Sequence, residues 1–234
     1  VVETASREKD AELWRLGKEI KIVERDYGED YQKWDLRAPF ADFYELETSL
    51  RGYHQIENAT MAVAMAKAFE KKTRFLISEE AIRQGVRDAR WPGRLEKISE
   101  SPDVVLDGAH NAESAKKLMQ GIQRHFHFEN LIAVVGVSGD KDLEGILREL
   151  LPHATHLVAT QAAHPRALPA AAIAEAAETQ AQGYPISIGV EENAAQAVEK
   201  AVSLAGPAAL ILVTGSLYLI GEIKNTWQNP LWTR

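Results

Sequence analysis

Apolar residues in this chain follow two rhythms. From about residue 91 onward, short runs rich in Val, Ile and Leu recur at 104–106, 131–137, 156–160, 186–190 and 209–214. Segments with apolar residues at helical spacing separate them, at 111–124, 142–150, 169–180 and 192–205, and a last helix begins near Ser216. In the first of these, Ala112, Ala115, Leu118, Met119 and Ile122 share one face. Continuous apolar strands alternating with helices predict an α/β fold: a Rossmann-like, mostly parallel sheet covered on both faces. Crossovers in such a sheet are right-handed, and ligands bind at the carboxyl ends of the strands. The segments 107–111, 138–142, 160–166 and 213–216 all fall at such ends.

Before residue 91 the pattern is less regular. Val1-Val2 reads as the end of a buried strand, 7–17 as a helix stopped by Gly17, and 18–23 and 41–49 as half-buried strands. Residues 26–39 mix Gly, Pro, charge and aromatics and are expected to be irregular. A helix is predicted from Asn58, with Met61, Met65 and Phe69 on a closely packing face, and another capped by Ser78. Trp91-Pro92-Gly93 punctuates the chain, so the expected division is 1–90 and 91–234.

Composition narrows the class. With 45% hydrophobic and 26% charged residues the chain is an ordinary globular sequence. A net charge of −7 and the lack of a basic run argue against nucleic acid, and no apolar run is long enough for a membrane helix. The absence of cysteine excludes disulfides and thiolate metal sites and fits a cytoplasmic protein. His125, His127, His153 and His156 lack metal-ligand spacing and read as surface or loop residues.

Candidate chemistry centres on Asp107-Gly108-Ala109-His110-Asn111. A strand running into a Gly-containing turn and a helix start presents unpaired N–H groups and a partial positive charge to a ligand. An N-cap without ligand is the alternative for this segment. Arg94, in a Pro-Gly turn, carries a permanent planar charge suited to phosphate; the alternative is a solvated arginine beside Glu96. Lys141 and Arg166 could meet carboxylates or phosphates, whereas Asp142 and Asn58 could simply cap helices. Ser216 is read as a substrate contact or a cap; Gly-x-Ser-x-Gly is absent, so it is not a hydrolase nucleophile. Neither a phosphate loop of the Gly-x-x-x-x-Gly-Lys-Ser/Thr type nor a Gly-x-Gly-x-x-Gly fingerprint occurs.

Taken in order, Gly52-Tyr53-His54-Gln55-Ile56-Glu57-Asn58-Ala59, Pro92-Gly93-Arg94-Leu95-Glu96, the DGAHN segment, Asp140-Lys141-Asp142, His164-Pro165-Arg166-Ala167 and Gly215-Ser216-Leu217-Tyr218 resemble the latter half of a folylpolyglutamate synthase/dihydrofolate synthase of the Mur ligase superfamily. The resemblance spans about Gly52 to Glu222. It implies that 1–90 is the tail of the central ATPase domain and 91–234 the C-terminal, glutamate ligase domain. The implied reaction is ATP-dependent addition of L-glutamate to folate through an acyl phosphate, either alone or together with dihydrofolate synthesis. Asn58, Arg94 and Asp107 would contact ATP; His110, Asn111, Lys141, Arg166 and Ser216 are the substrate candidates; no catalytic residue or metal ligand is assigned. The ligands of Mg²⁺ and the phosphate loop are expected upstream, so the chain reads as a fragment that folds but does not catalyse alone, and a monomer. Another Mur-type amino-acid ligase and a non-catalytic nucleotide-binding module remain the rival readings. Arg94 and Asp107 are expected in an open cleft, where truncation costs turnover and leaves stability intact.

Overall fold

The structure, a computed structural model, describes residues 1–227; the remainder of the predicted 91–234 segment lies outside the described residues. The chain separates into two compact units, Val1–Arg90 and the part from Trp91 onward.

The first unit begins with an exposed helix, α1 (Val2–Glu8), where a buried strand end was expected. Two valines beside Glu, Arg and Lys have no apolar partner to bury against, and the helix has no buried residue. The predicted helix over 7–17 is not formed: α1 ends at Glu8 and irregular chain and turns follow, with Gly17 at φ 86°. Three strands, β1 (Lys21–Tyr27), β2 (Gln32–Ala38) and β3 (Ala41–Thr48), form an antiparallel meander in the order β1-β2-β3. β2 occupies the segment expected to be irregular. It is the central strand and places Trp34 and Leu36 in the core, while Arg25 and the Glu45 N–H satisfy its buried Asp35. The long helix α2 (Tyr53–Thr73) starts five residues before Asn58, behind Gly52 at φ 94°, and α3 (Glu79–Arg87) is capped by Ser78. Trp34 Nε1 donates to Thr60 Oγ1 at 3.1 Å and ties sheet to helix. The buried face of α2 is Gln55, Ile56, Thr60, Val63 and Ala64. Met61, Met65 and Phe69, expected to pack, are exposed.

The second unit is a six-stranded sheet in the order β4-β5-β9-β6-β7-β8. It comprises β4 (Glu96–Glu100), β5 (Asp103–Asp107), α4 (Ala112–His125), β6 (Asn130–Val135), α5 (Leu143–Leu150), β7 (His156–Gln161), α6 (Ala170–Gln180), β8 (Ser187–Asn193), α7 (Ala194–Leu204), β9 (Ala209–Thr214) and α8 (Leu217–Trp227). β5 to β9 run parallel; β4, which the apolar pattern did not reveal, is an antiparallel edge strand. Successive strand residues point to opposite faces. Val105, Ala133 and Leu212 therefore pack in one core with Leu118 of α4, Ile146 of α5 and Ile173 of α6. Val104, Leu106, Val134 and Val213 pack in the other with Val198 of α7 and Leu219 of α8. His125 is buried at the end of α4, not on the surface as expected.

Candidate functional site

Parallel pairing brings the carboxyl ends of β5, β9, β6 and β7 to one edge, and the segments carrying Asp107, Ser216, Lys141 and Arg166 gather there. Gly215 makes the crowding at its centre possible. Its φ is +107°, and a Cβ there would lie 2.6 Å from the Gly136 carbonyl oxygen. Only glycine meets both conditions without strain. The Gly136 N–H in turn donates to Thr214 O at 3.1 Å.

One half of the edge is a closed turn. Asp107 is 5% exposed, and both its carboxylate oxygens are engaged by backbone: Leu95 N–H donates to Oδ2 at 3.0 Å and Ala109 N–H to Oδ1 at 2.8 Å. The carboxylate is thus buried where an open cleft was expected. The acid is a structural clamp between the Pro-Gly-Arg turn and its own turn. It also holds Leu95 at φ 43°, a left-handed conformation that costs a residue with a Cβ. Burial pushes the Asp107 carboxyl above its usual range, against the opposing pull of the two N–H donors and of Arg94. Gly108 N–H donates to Gly93 O at 2.9 Å, and Gly93 N–H to Glu96 Oε2 at 2.7 Å. Glu96 also pairs with Lys224.

Arg94 is therefore flanked by two anchored residues. It is half-buried, with Nη1 beside Gly108, where a Cβ would come within 3.1 Å. Glu96 is not its partner, and among the described residues no hydrogen bond or ion pair engages its guanidinium. A held cation with unused donors fits an anionic ligand.

His110 and Asn111 follow. His110 Nδ1 lies 2.9 Å from Gly108 O; a carbonyl only accepts, so Nδ1 carries the hydrogen and Nε2 of a neutral ring is left to accept. Asn111 is the N-cap of α4 in a capping box: its Oδ1 accepts from Ser114 N–H at 2.8 Å, and Ser114 Oγ accepts the Asn111 N–H at 3.1 Å. Ser216 is 6% exposed, and its Oγ accepts from Tyr218 N–H at 3.2 Å. The capping alternative is thus the observed local role of Asn111. Asp142 also caps, accepting from Gly145 N–H at 2.9 Å.

The other half of the edge is an exposed polar cluster. Lys141 Nζ is 3.1 Å from Asp140 Oδ2, and Arg166 Nη1 is 4.0 Å from the same oxygen. Lys141 holds the Asp140 carboxyl below its ordinary range, chiefly by that hydrogen bond. Arg166 Nη2 donates to Tyr218 Oη at 3.0 Å, and His164 stacks on the Tyr218 ring at 3.8 Å and 18°. Tyr218 was quoted in the sequence motif but not as a site residue. Its position one residue into a helix that starts at the strand edge was the available signal. Asn58 belongs to the first unit; it sits in the second turn of α2, not at its cap, and its Nδ2 donates to Gln55 Oε1 at 3.1 Å. Among the described residues no group of three or more His, Cys, Asp or Glu could hold a metal ion.

Residues 93–217 match the family profile described as Mur ligase, glutamate ligase domain. A dihydrofolate synthase/folylpolyglutamate synthase of Bacillus subtilis is 33% identical over 78% of this chain and 41% of its own. The protein of that name from Mycobacterium tuberculosis is 32% identical over 92% of this chain and 47% of its own. The crystal structure of Mycobacterium tuberculosis folylpolyglutamate synthase complexed with ADP and AMPPCP superimposes with a TM-score of 0.88 at 30% identity, covering 98% of this chain and 52% of that one. The chain spans about half the length of the curated relatives it matches.

Proposed function

Because the chain belongs to the Mur ligase family through its glutamate ligase domain, we propose that the whole protein joins L-glutamate to a folate at the expense of ATP. The observation that carries this reading is the agreement between that domain match and the Arg94 guanidinium on the Pro-Gly-Arg turn, whose N–H donors take no hydrogen-bond partner among the described residues. Relatives that match most of the chain are named for folate ligation, and the similar crystal structure contains ADP and AMPPCP. Residues 1–90 are, in this reading, part of the family's ATPase domain, and residues 91–234 its glutamate ligase domain.

The chemistry divides between the two halves of the edge. The folate carboxylate takes the γ-phosphoryl group of ATP, releasing ADP; the amine of glutamate then attacks the acyl carbon, and phosphate leaves as the amide forms. Arg94 would bind phosphate oxygens and offset charge that develops during transfer. Asn58 is assigned to the nucleotide by the family pattern, and Asp107 acts on it indirectly by holding Leu95 and Ala109 in place. His110, through Nε2, can accept from the glutamate ammonium; Lys141, Arg166 and the Ser216 hydroxyl can donate to carboxylates. Asn111 retains its amide donors for the same purpose. Mg²⁺ would supply charge neutralisation on the phosphates, and the described residues of this chain offer it no cluster of ligands. The proposal further places the protein in the cytoplasm as a monomer acting on small molecules, without nucleic acid; no helix among the described residues is long and apolar enough to cross a membrane.

The test is glutamate incorporation by the purified whole protein, supplied with ATP, Mg²⁺, radiolabelled L-glutamate and either dihydropteroate or tetrahydrofolate. One glutamate joined per ADP formed is the expected result. The 234-residue chain, whose sequence contains no phosphate-loop motif, should give none. Absence of incorporation by the whole protein with every folate acceptor overturns the reading.

A further inference from the structure

The loop between β7 and α6 is fastened on both flanks. Towards β6, Leu168 N–H donates to Val137 O at 2.8 Å and Gly139 N–H to Arg166 O at 2.8 Å, and Ser138 and Ala167 form an isolated antiparallel bridge. Towards α8, Ala163 N–H donates to Glu222 Oε2 at 2.8 Å, one helical turn after Tyr218. These bonds fix the backbone of Arg166. They do not fix its long side chain, which is 58% exposed and would otherwise sample many rotamers.

Tyr218 supplies the missing restraint. Its hydroxyl accepts from Arg166 Nη2 at 3.0 Å, and the guanidinium carbon lies 5.6 Å from its ring centroid. The ring is backed by His164, stacked at 3.8 Å, and His164 Nδ1 accepts the backbone N–H of Arg166 at 3.2 Å. Arginine backbone, imidazole, phenol and arginine head thus form a closed circuit of contacts. Asp140 stands 4.0 Å from Nη1 and already pairs with Lys141. A guanidinium has five N–H donors, and most of those on Arg166 remain for a planar anion.

We infer that Tyr218, backed by His164, is a positioning residue that holds Arg166 in readiness for a carboxylate of the substrate. This rests on the ligase reading, in which two carboxylate sources exist: the incoming amino acid and the folate acceptor. Holding the guanidinium before the substrate arrives lowers the ordering cost of binding.

Steady-state kinetics of the whole protein test it. Tyr218→Phe keeps the stacked ring and removes the acceptor; it should raise one carboxylate KM about fivefold, the scale of one such hydrogen bond, with a smaller change in kcat and none in the KM for ATP. Tyr218→Ala and His164→Ala should raise the same KM further. A rise confined to L-glutamate assigns Arg166 to the amino acid, and one confined to the folate assigns it to the acceptor. Tyr184→Phe, an exposed tyrosine elsewhere in the unit, serves as the control. Unchanged KM values for both carboxylate substrates overturn the inference. A second measurement does not depend on ligation: in the 234-residue chain with ¹⁵N-labelled arginine, rotation of the Arg166 guanidinium should be slow and should quicken in Tyr218→Phe. If the whole protein fails to ligate, the functional reading falls by itself, and an unaltered rotation rate overturns the positioning role.

Discussion

Two acidic residues at one sheet edge lead opposite lives. Asp107, at the end of β5, is almost fully buried and both its oxygens receive backbone N–H groups. Asp140, after β6, is about half exposed and faces two cations on flexible side chains. Burial raises the carboxyl of Asp107, whereas the hydrogen bond from Lys141 lowers that of Asp140. The comparison shows that an acid and a neighbouring arginine are not by themselves a binding pair. At the Asp107 end the acid takes its hydrogen bonds from the backbone and none from Arg94, whereas at the Asp140 end a tyrosine holds the arginine.

Removing Asp107 should break this comparison most. Asp107→Ala strands two buried N–H donors and releases Leu95 from a strained conformation; a loss of about 3 kcal/mol in unfolding free energy is expected from urea titration of the chain. A near-zero loss would return Asp107 to the status of an open-cleft ligand. Its charge gives a sharper version. A raised folded-state pKa means that the protonated acid favours the fold. That contribution is present below the ordinary value of 3.8 and is lost as pH rises through the raised one. Asp107→Asn cannot titrate, so wild type should lose stability relative to this variant as pH increases over that window. The opposite slope would show that the two N–H donors and Arg94 outweigh burial.

Next in size is Arg94. Arg94→Ala should cut kcat/KM of the whole protein about a hundredfold, on the order of 3 kcal/mol of transition-state stabilisation, with an unchanged melting temperature. A large drop in melting temperature would make Arg94 structural, like its neighbour Asp107. Asn111→Ala should cost about 1 kcal/mol of stability through loss of the α4 cap, as read from a urea titration. The smallest effect is expected at the exposed end, where Asp140→Asn should leave the urea midpoint where it was. A clear shift there would mean that the cluster helps to hold the fold.

What the sequence revealed depended on whether a residue's role was local. The parallel strands carry their signal within themselves, because strands buried on both faces are near-continuous apolar runs, as Leu131 to Val135 and Ala209 to Val213 are. The caps of Asn111, Asp142 and Ser78 were legible for the same reason: each acts within three residues of itself. β2 was not legible, since Gln32, Lys33, Asp35 and Arg37 look like a loop until Arg25 and Glu45 from the neighbouring strands satisfy Asp35. Edge strand β4 hides behind its charges in the same way. Half of the Asp107 clamp was local, the bond from Ala109 two residues on; its burial was not legible, because the other half comes from Leu95, twelve residues earlier. The Tyr218–Arg166 contact joins residues 52 apart and leaves no periodic trace.

The position of β9 has a consequence for how the molecule is made. This strand, the last in the chain among the described residues, lies in the middle of the six-stranded sheet, bonded to β5 on one side and β6 on the other. During synthesis, β4 to β8 leave the ribosome as two separate pieces with bare inner edges, β4-β5 and β6-β7-β8, and no strand to join them. Nascent chains halted before Ala209 therefore present two unpaired apolar edges of the kind that chaperones bind and aggregates recruit. The second unit is therefore expected to become protease-resistant late, once 209–214 has cleared the exit tunnel. A chain truncated just before Ala209 should lack the strand that joins the two pieces, and limited proteolysis of that truncation should show no protected second unit.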